Sequence, residues 1–181
     1  MRGFFIGRFQ PFHNGHRALV EGMAEEVDEL VLGVGSADQS HTPRNPFTAG
    51  ERVVAVERAV DHIDVTTYTV PIEDIERHSI WVSHVRSMTP PFDVAYSNNP
   101  LVIRLFKEAG IEVRQTPMVR RHELEGSEIR DRIVDGRPWR DLVPAPVVEA
   151  IEGIDGTRRL RRIAETDANG GGRDDDRDGD R

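Results

Sequence analysis

The sequence predicts an α/β protein: a Rossmann-like, doubly wound parallel sheet of five strands, with additional helices at the C-terminal end. Three observations carry that expectation. Short apolar runs alternate with segments of helical periodicity from Arg2 to Thr116, as in a parallel sheet covered on both faces. Glycine, serine or proline ends several of those runs. The chemically unusual residues gather at strand-to-helix junctions, where sheets of this type bind ligands.

Arg2-Gly3-Phe4-Phe5-Ile6 reads as the first, buried strand, and Arg17 to Val27 as a helix with Leu19, Met23 and Val27 at helical spacing. Glu29 to Ser36 is the second strand, followed by a long polar loop to Pro46. Thr48-Ala49-Gly50-Glu51 has the form of a capping box, so the second helix starts near Ala49, with Val53, Val56, Val60 and Ile63 on its apolar face. Val65 to Val70 forms strand three, which Pro71 is expected to stop.

An acidic, irregular stretch from Ile72 to His78 precedes a short helix carrying Trp81, Val85 and Met88. Phe92 to Ser97 is strand four, Asn98-Asn99-Pro100 opens a helix with proline at its first position, and Gly110 marks its stop. Ile111 to Thr116 is strand five, and Met118 to Leu124 a charged loop. Another helix starts near Ser127, a plausible N-cap, and Pro144 to Ile154 and Thr157 to Thr166 follow as two amphipathic helices. The expected organisation is one domain over 1–166 and a disordered, acidic Gly/Asp-rich tail over 167–181.

Composition narrows the class. At 181 residues and 37% hydrophobic, the chain suffices for one sizeable core. No run approaches a membrane span, and the N-terminus enters a strand directly, so a cytoplasmic protein is expected. Without cysteine, a transition metal would need His and carboxylates alone, and no metal site of protein ligands is expected. The net charge of −8, with Lys107 the single lysine among 24 basic residues, argues against a nucleic-acid partner. An acidic excess spread along the helices suits a high-salt, halophilic host.

The richest stretch is Gly7-Arg8-Phe9-Gln10-Pro11-Phe12-His13-Asn14-Gly15-His16. Gly7 ends a strand tightly, Gly15 admits close approach of a ligand, and a helix N-terminus offers unpaired N–H groups and a positive dipole end. Two histidines three apart then suit phosphate oxygens, although the same spacing also occurs in metal pairs and among surface histidines.

This stretch is similar to the H-x-G-H signature of the nucleotidyltransferase superfamily. With it stand Ser40-His41 to Arg44-Asn45-Pro46-Phe47-Thr48-Ala49-Gly50-Glu51-Arg52, Trp81-Val82-Ser83-His84, Tyr96-Ser97-Asn98-Asn99-Pro100-Leu101 and Glu125-Gly126-Ser127-Glu128-Ile129-Arg130. Together these motifs resemble the archaeal type of nicotinamide mononucleotide (NMN) adenylyltransferase over residues 1 to about 166. The resemblance implies ATP and NMN, or nicotinic acid mononucleotide, as substrates, Mg2+ accompanying ATP, NAD and pyrophosphate as products, and a homo-oligomer. It also implies roles. His13, His16 and Arg130 are the catalytic candidates; Gly7, Arg8, Phe9, Gly15 and Ser127 join them in binding ATP. Arg44, Trp81 and Asn98 are the candidates for NMN, with Trp81 stacking on the cationic pyridinium. Core packing is the plainer alternative for Trp81, and a solvated loop arginine for Arg44.

Two positions depart from the family pattern. Glu125 stands where the superfamily has a serine, and a carboxylate near a triphosphate is unfavourable unless it points away or faces magnesium. His78 replaces an expected polar amide. Small nucleotidyltransferases with other acceptors, and a non-catalytic nucleotide sensor, are the rival readings.

Overall fold

Strand alternation sorts the apolar residues onto two faces, and the core forms accordingly. A computed structural model describes residues 1–116 and 125–170, with side chains through Ala168. The expected charged loop at Met118 to Leu124 therefore lies outside the described residues, as does the tail from 171 to 181. The elements are β1 (Arg2–Gly7), α1 (Asn14–Ala24), β2 (Glu29–Val34), α2 (Ala49–Val60), β3 (Thr66–Pro71), α3 (His78–Met88), β4 (Val94–Tyr96), α4 (Pro100–Glu108), β5 (Glu112–Arg114), α5 (Gly126–Val134), α6 (Ala145–Gly153) and α7 (Gly156–Gly170). A 3-10 turn at Arg140–Leu142 precedes α6. The helix expected to finish at Thr166 thus continues to Gly170.

All strand pairs are parallel and the order is β3-β2-β1-β4-β5. The register places Phe4 beside Val31 and Ala95, and Phe5 beside Leu32 and Tyr96. Phe4, Val31 and Ala95 belong to the core shared with α3 and α4, through Val82, Val85 and Phe106. Phe5, Leu32 and Tyr96 face the larger core with α1, α2, α5, α6 and α7. Phe4 is fully buried and stacks on Phe92 at 4.6 Å, so truncating it to alanine costs about 3–5 kcal/mol.

After β1 the chain winds to one side through β2 and β3, then crosses to β4 on the other side of β1. The crevice between β1 and β4 is the switch point where such sheets bind ligands.

Several local signals act as expected. Thr48 and Glu51 form a reciprocal capping box at the start of α2, with Thr48 N–H donating to Glu51 Oε2 at 2.9 Å. Asn99 caps α4 through Oδ1, with Pro100 in the first turn, and Gly110 follows the helix at φ +74°.

Pro71, expected to stop strand three, does not. It pairs with Val34, and the next residue donates from Ile72 N–H to Val34 O at 2.9 Å. The pairing survives because β3 is an edge strand and the proline nitrogen needs no partner on its open side. Ile72, expected in an irregular stretch, is 1% exposed and packs in the second core.

Candidate active site

The first helix begins at Asn14, three residues earlier than its apolar spacing suggested, because His13 serves as its N-cap. His16 N–H donates to His13 Nδ1 and His13 N–H donates to His16 Nδ1, both at 3.3 Å. The two rings stack with centroids 3.6 Å apart. A histidine whose Nδ1 accepts a hydrogen bond carries its neutral proton on Nε2. Both rings therefore present an Nε2–H donor. Burial pushes His13 down to about 4, and burial followed by the neighbouring His13 pushes His16 well below its ordinary value. Near neutral pH the pair consists of two uncharged donors.

The preceding loop folds tightly under this pair. Phe9 has φ +49° and is 2% exposed, and its ring meets His16 edge-on at 4.9 Å. A Cβ on Gly7 would lie 2.6 Å from the Phe9 ring, so glycine is needed where the ring turns back over the strand end.

Across from the histidines stands the start of α5. Glu125, with no side-chain cap bond, occupies the N-cap, and the helix begins at Gly126. Ser127, expected as the cap, instead lies in the first turn, so its N–H and hydroxyl join the open end of the helix. Arg130 reaches back from this helix, donating from Nη1 to Gln10 O at 2.8 Å and from Nε to Pro43 O at 3.0 Å. A cavity of about 300 Å³ separates the two helix starts, lined by Arg8, Phe9, Gln10, Pro11, His13, His16, Glu125, Gly126, Ser127 and Arg130. Gly7 and Gly15 support it from the strand end and the first turn.

The surroundings are strongly positive. Burial and then Arg44 lower the Arg8 guanidinium, while burial, Arg8 and Arg44 each lower Arg130. Arg8 and Arg130, both lowered by burial and by neighbouring guanidiniums, mark a place prepared for a polyanion. Glu125 supplies a carboxylate to the lining, 3.5 Å from Ser127 Oγ, so it does not point away from the cavity.

Gln10, which the sequence reading left without a role, is 3% exposed and forms a two-way bond with Phe47. Its Nε2 donates to Phe47 O at 2.9 Å, and Phe47 N–H donates to its Oε1 at 3.0 Å. That pair joins the His13 loop to the segment carrying Arg44. Arg52, also unassigned from sequence, is 2% exposed and binds main-chain carbonyls of both loops.

The candidates for the second substrate lie outside the cavity lining. Arg44 is exposed on the loop before α2. Trp81 is half-buried on α3, edge-on to Phe106 at 5.3 Å, against the second core. Asn98 follows β4, and its side chain is committed to Thr116: Nδ2 donates to Thr116 O and Oγ1, and Thr116 N–H donates to Oδ1. Asn98 thus joins the segments after β4 and β5. His78 is the first residue of α3 and is exposed. Among the described residues, no group of three or more His, Asp or Glu side chains is placed to hold a metal ion. No helix among them is long and apolar enough to cross a membrane.

Two helix N-termini flank a positive, histidine-bearing cavity at the switch point, an arrangement suited to the phosphates of a nucleotide, and the cytidylyltransferase-like family model matches residues 4–132. The chain belongs to this family, and within it to the nicotinamide-nucleotide adenylyltransferases. It is 69% identical to the nicotinamide-nucleotide adenylyltransferase of Halorubrum lacusprofundi over 94% of this chain and 97% of that one. The Halobacterium salinarum and Methanosarcina mazei proteins of the same name are 61% and 54% identical, each over 93% of this chain and 96% and 97% of their own lengths. A solved bifunctional NMN adenylyltransferase/ADP ribose pyrophosphatase from Francisella tularensis, complexed with AMP and a manganese ion, shares the fold. Its TM-score is 0.74 at 18% identity, over 92% of this chain and 53% of that chain.

Proposed function

We propose that the chain joins ATP to NMN, releasing NAD and pyrophosphate, by in-line attack of the NMN phosphate on the α-phosphorus of ATP. The protein needs no nucleophile of its own for this reaction. Its work is to hold the two phosphates in line and to stabilise the charge that moves toward the leaving pyrophosphate.

The observation that carries this reading is the convergence of His13 and His16 with Ser127 and Arg130 around one cavity. In it the Nε2–H groups of His13 and His16 donate to triphosphate oxygens, His16 nearest the α-phosphate. Ser127, the N-terminus of α5 and Arg130 receive the β- and γ-phosphates that leave. Arg8 adds charge at the mouth, while Gly7, Phe9 and Gly15 shape the loop. Arg44 takes the NMN phosphate and Trp81 stacks on the nicotinamide, neither residue being part of the ATP cavity lining. Asn98 contributes by fixing the segments after β4 and β5, since its amide is already used.

A divalent ion, Mg2+ in this proposal, fits the site as a companion of the substrate. Glu125, the carboxylate in the cavity lining, would be the residue that holds it. Such an ion would supply positive charge that offsets the negative charge of the triphosphate.

The test is to incubate the purified chain with ATP, Mg2+ and a panel of phosphate acceptors, measuring pyrophosphate and dinucleotide. NAD from NMN is expected, with nicotinic acid mononucleotide as the informative comparison. Failure to form NAD from NMN at any salt concentration would overturn the assignment.

A further inference from the structure

Arg52 is the largest of the fully buried side chains, yet a guanidinium is the most awkward group to bury. No carboxylate forms a salt bridge with it among the described residues. Its partners are instead four main-chain carbonyls: Nη1 donates to Arg8 O at 2.8 Å and to Gly35 O at 2.7 Å, Nη2 to Ser36 O at 3.0 Å, and Nε to Thr48 O at 3.2 Å.

Those carbonyls belong to the loop after β1, the segment after β2 and the cap of α2. Two of them sit at unusual backbone: Arg8 immediately precedes Phe9 at φ +49°, and Ser36 itself has φ +50°. Non-glycine residues hold such conformations only where the surroundings enforce them, and they gather at functional sites. From Arg8 O the contacts continue to the Phe9 ring, which stands edge-on to His16 at 4.9 Å. On the other side, the segment from Ser36 leads into the loop that bears Arg44.

We propose that Arg52 is a positioning residue for adenylyl transfer: its buried, planar fork of donors holds the His16 loop and the Arg44 loop in mutual register. This rests on the adenylyltransferase reading above. Asp38 and Asp74 act on Arg52 through space in the direction that keeps it charged. Burial pushes it down only to about 10, so it remains a cation at neutral pH. A lysine in its place keeps the charge but not the fork, because its three donors radiate from one nitrogen whereas Arg52 reaches four carbonyls from three nitrogens. That difference separates positioning from simple stability.

The experiment compares Arg52→Lys with the parent for thermal unfolding and for steady-state kinetics normalised to folded protein. The expected result is a fall in kcat of tenfold or more per folded molecule, with the KM for ATP moving less than threefold. A kcat per folded molecule within twofold of the parent would overturn the proposal. So would a KM effect equal to or larger than the kcat effect. Should Arg52→Lys not fold, Arg52→Ala assayed with added methylguanidinium decides. Saturable recovery of turnover supports the assignment, and folding without recovery overturns it. The parent forms NAD whichever way these results fall, so they leave the test of the reaction itself separate.

Discussion

His13 and His16 cap each other: each main-chain N–H donates to the other's Nδ1, at 3.3 Å, so one helix start fixes the tautomer of both rings. A single local motif thereby sets helix initiation, ring orientation and the identity of the donor atoms. It also ties the stability of the fold to the protonation of these rings.

His13 is ordinarily protonated near 6.5 but is held at about 4 in the fold. Because the folded value is depressed for a base, the unfolded chain binds the extra proton first. Its contribution is present above pH 6.5 and is lost as pH falls from 6.5 toward 4, by up to about 3 kcal/mol for this group. Thermal unfolding measured from pH 7 to pH 5 should show that decline. His13→Asn, which keeps a good cap without a titrating ring, should flatten it; an unchanged slope would refute the account.

Arg130→Ala should reduce kcat by about 100-fold or more, as expected for loss of a donor to developing charge. It also removes the partner of Gln10 O and Pro43 O, costing about 1–3 kcal/mol of stability if those carbonyls stay dry. Rates corrected for folded fraction separate the two effects, and a corrected rate near that of the parent would remove Arg130 from the reaction.

Gly7→Ala places a methyl 2.6 Å from the Phe9 ring, which must then swing away from His16. A misplacement of this kind is expected to lower kcat/KM about 100-fold. Spectroscopy should show that the helical content is retained. Parent-like turnover would show that the contact between Phe9 and His16 does not matter.

Trp81→Ala should raise the KM for NMN about tenfold while leaving that for ATP near its parent value, as a cation–π contact implies. Trp81→Phe should recover part of the loss. Equal shifts for both substrates, or a change in unfolding temperature alone, would reduce Trp81 to its packing against Phe106.

Glu51 and Arg159 form a two-pronged ion pair at 2.7 and 2.8 Å that fastens α7 to the start of α2. Burial tends to raise Glu51, but Arg159 and the Thr48 N–H outweigh it and hold the carboxyl below its ordinary 4.5. Stability from this pair is therefore present above pH 4.5 and lost as pH falls through the lowered value. A double-mutant cycle with Glu51→Gln and Arg159→Met should give a coupling of about 1 kcal/mol, weakened by salt. Zero coupling at low salt would contradict the geometry.

Much of this was readable from local chemistry, and the exceptions share a cause. The Thr48–Glu51 box and the Asn99-Pro100 start act within a few residues, so their signals survive in sequence. The α1 boundary did not, because histidine rarely caps helices and the cap depends on a second histidine accepting in return. Ser127 looked like a cap but sits inside α5, with the unconventional Glu125 before it. Pro71 looked like a terminator until the edge position of β3 was known. Arg52 reads as a polar residue on a half-apolar helix, although its spacing to Ala55, Val56 and Ala59 places it on their buried face. Only the carbonyls brought from the first two strands explain it. The clamp of His13, His16, Ser127 and Arg130 became visible by family resemblance, since nothing local links residues so far apart.

That separation bears on how the protein is made. The His13 end of the cavity lies on the first strand–helix unit, whereas α5 comes after the fifth strand and packs with α7. All five strands are therefore synthesised before the helix that closes the cavity, yet the larger core is still incomplete at that point, because Ile129, Ile133, Val147, Ile151 and Leu160 follow. A chain cut short before α5 should therefore lose stability together with the second wall of the cavity.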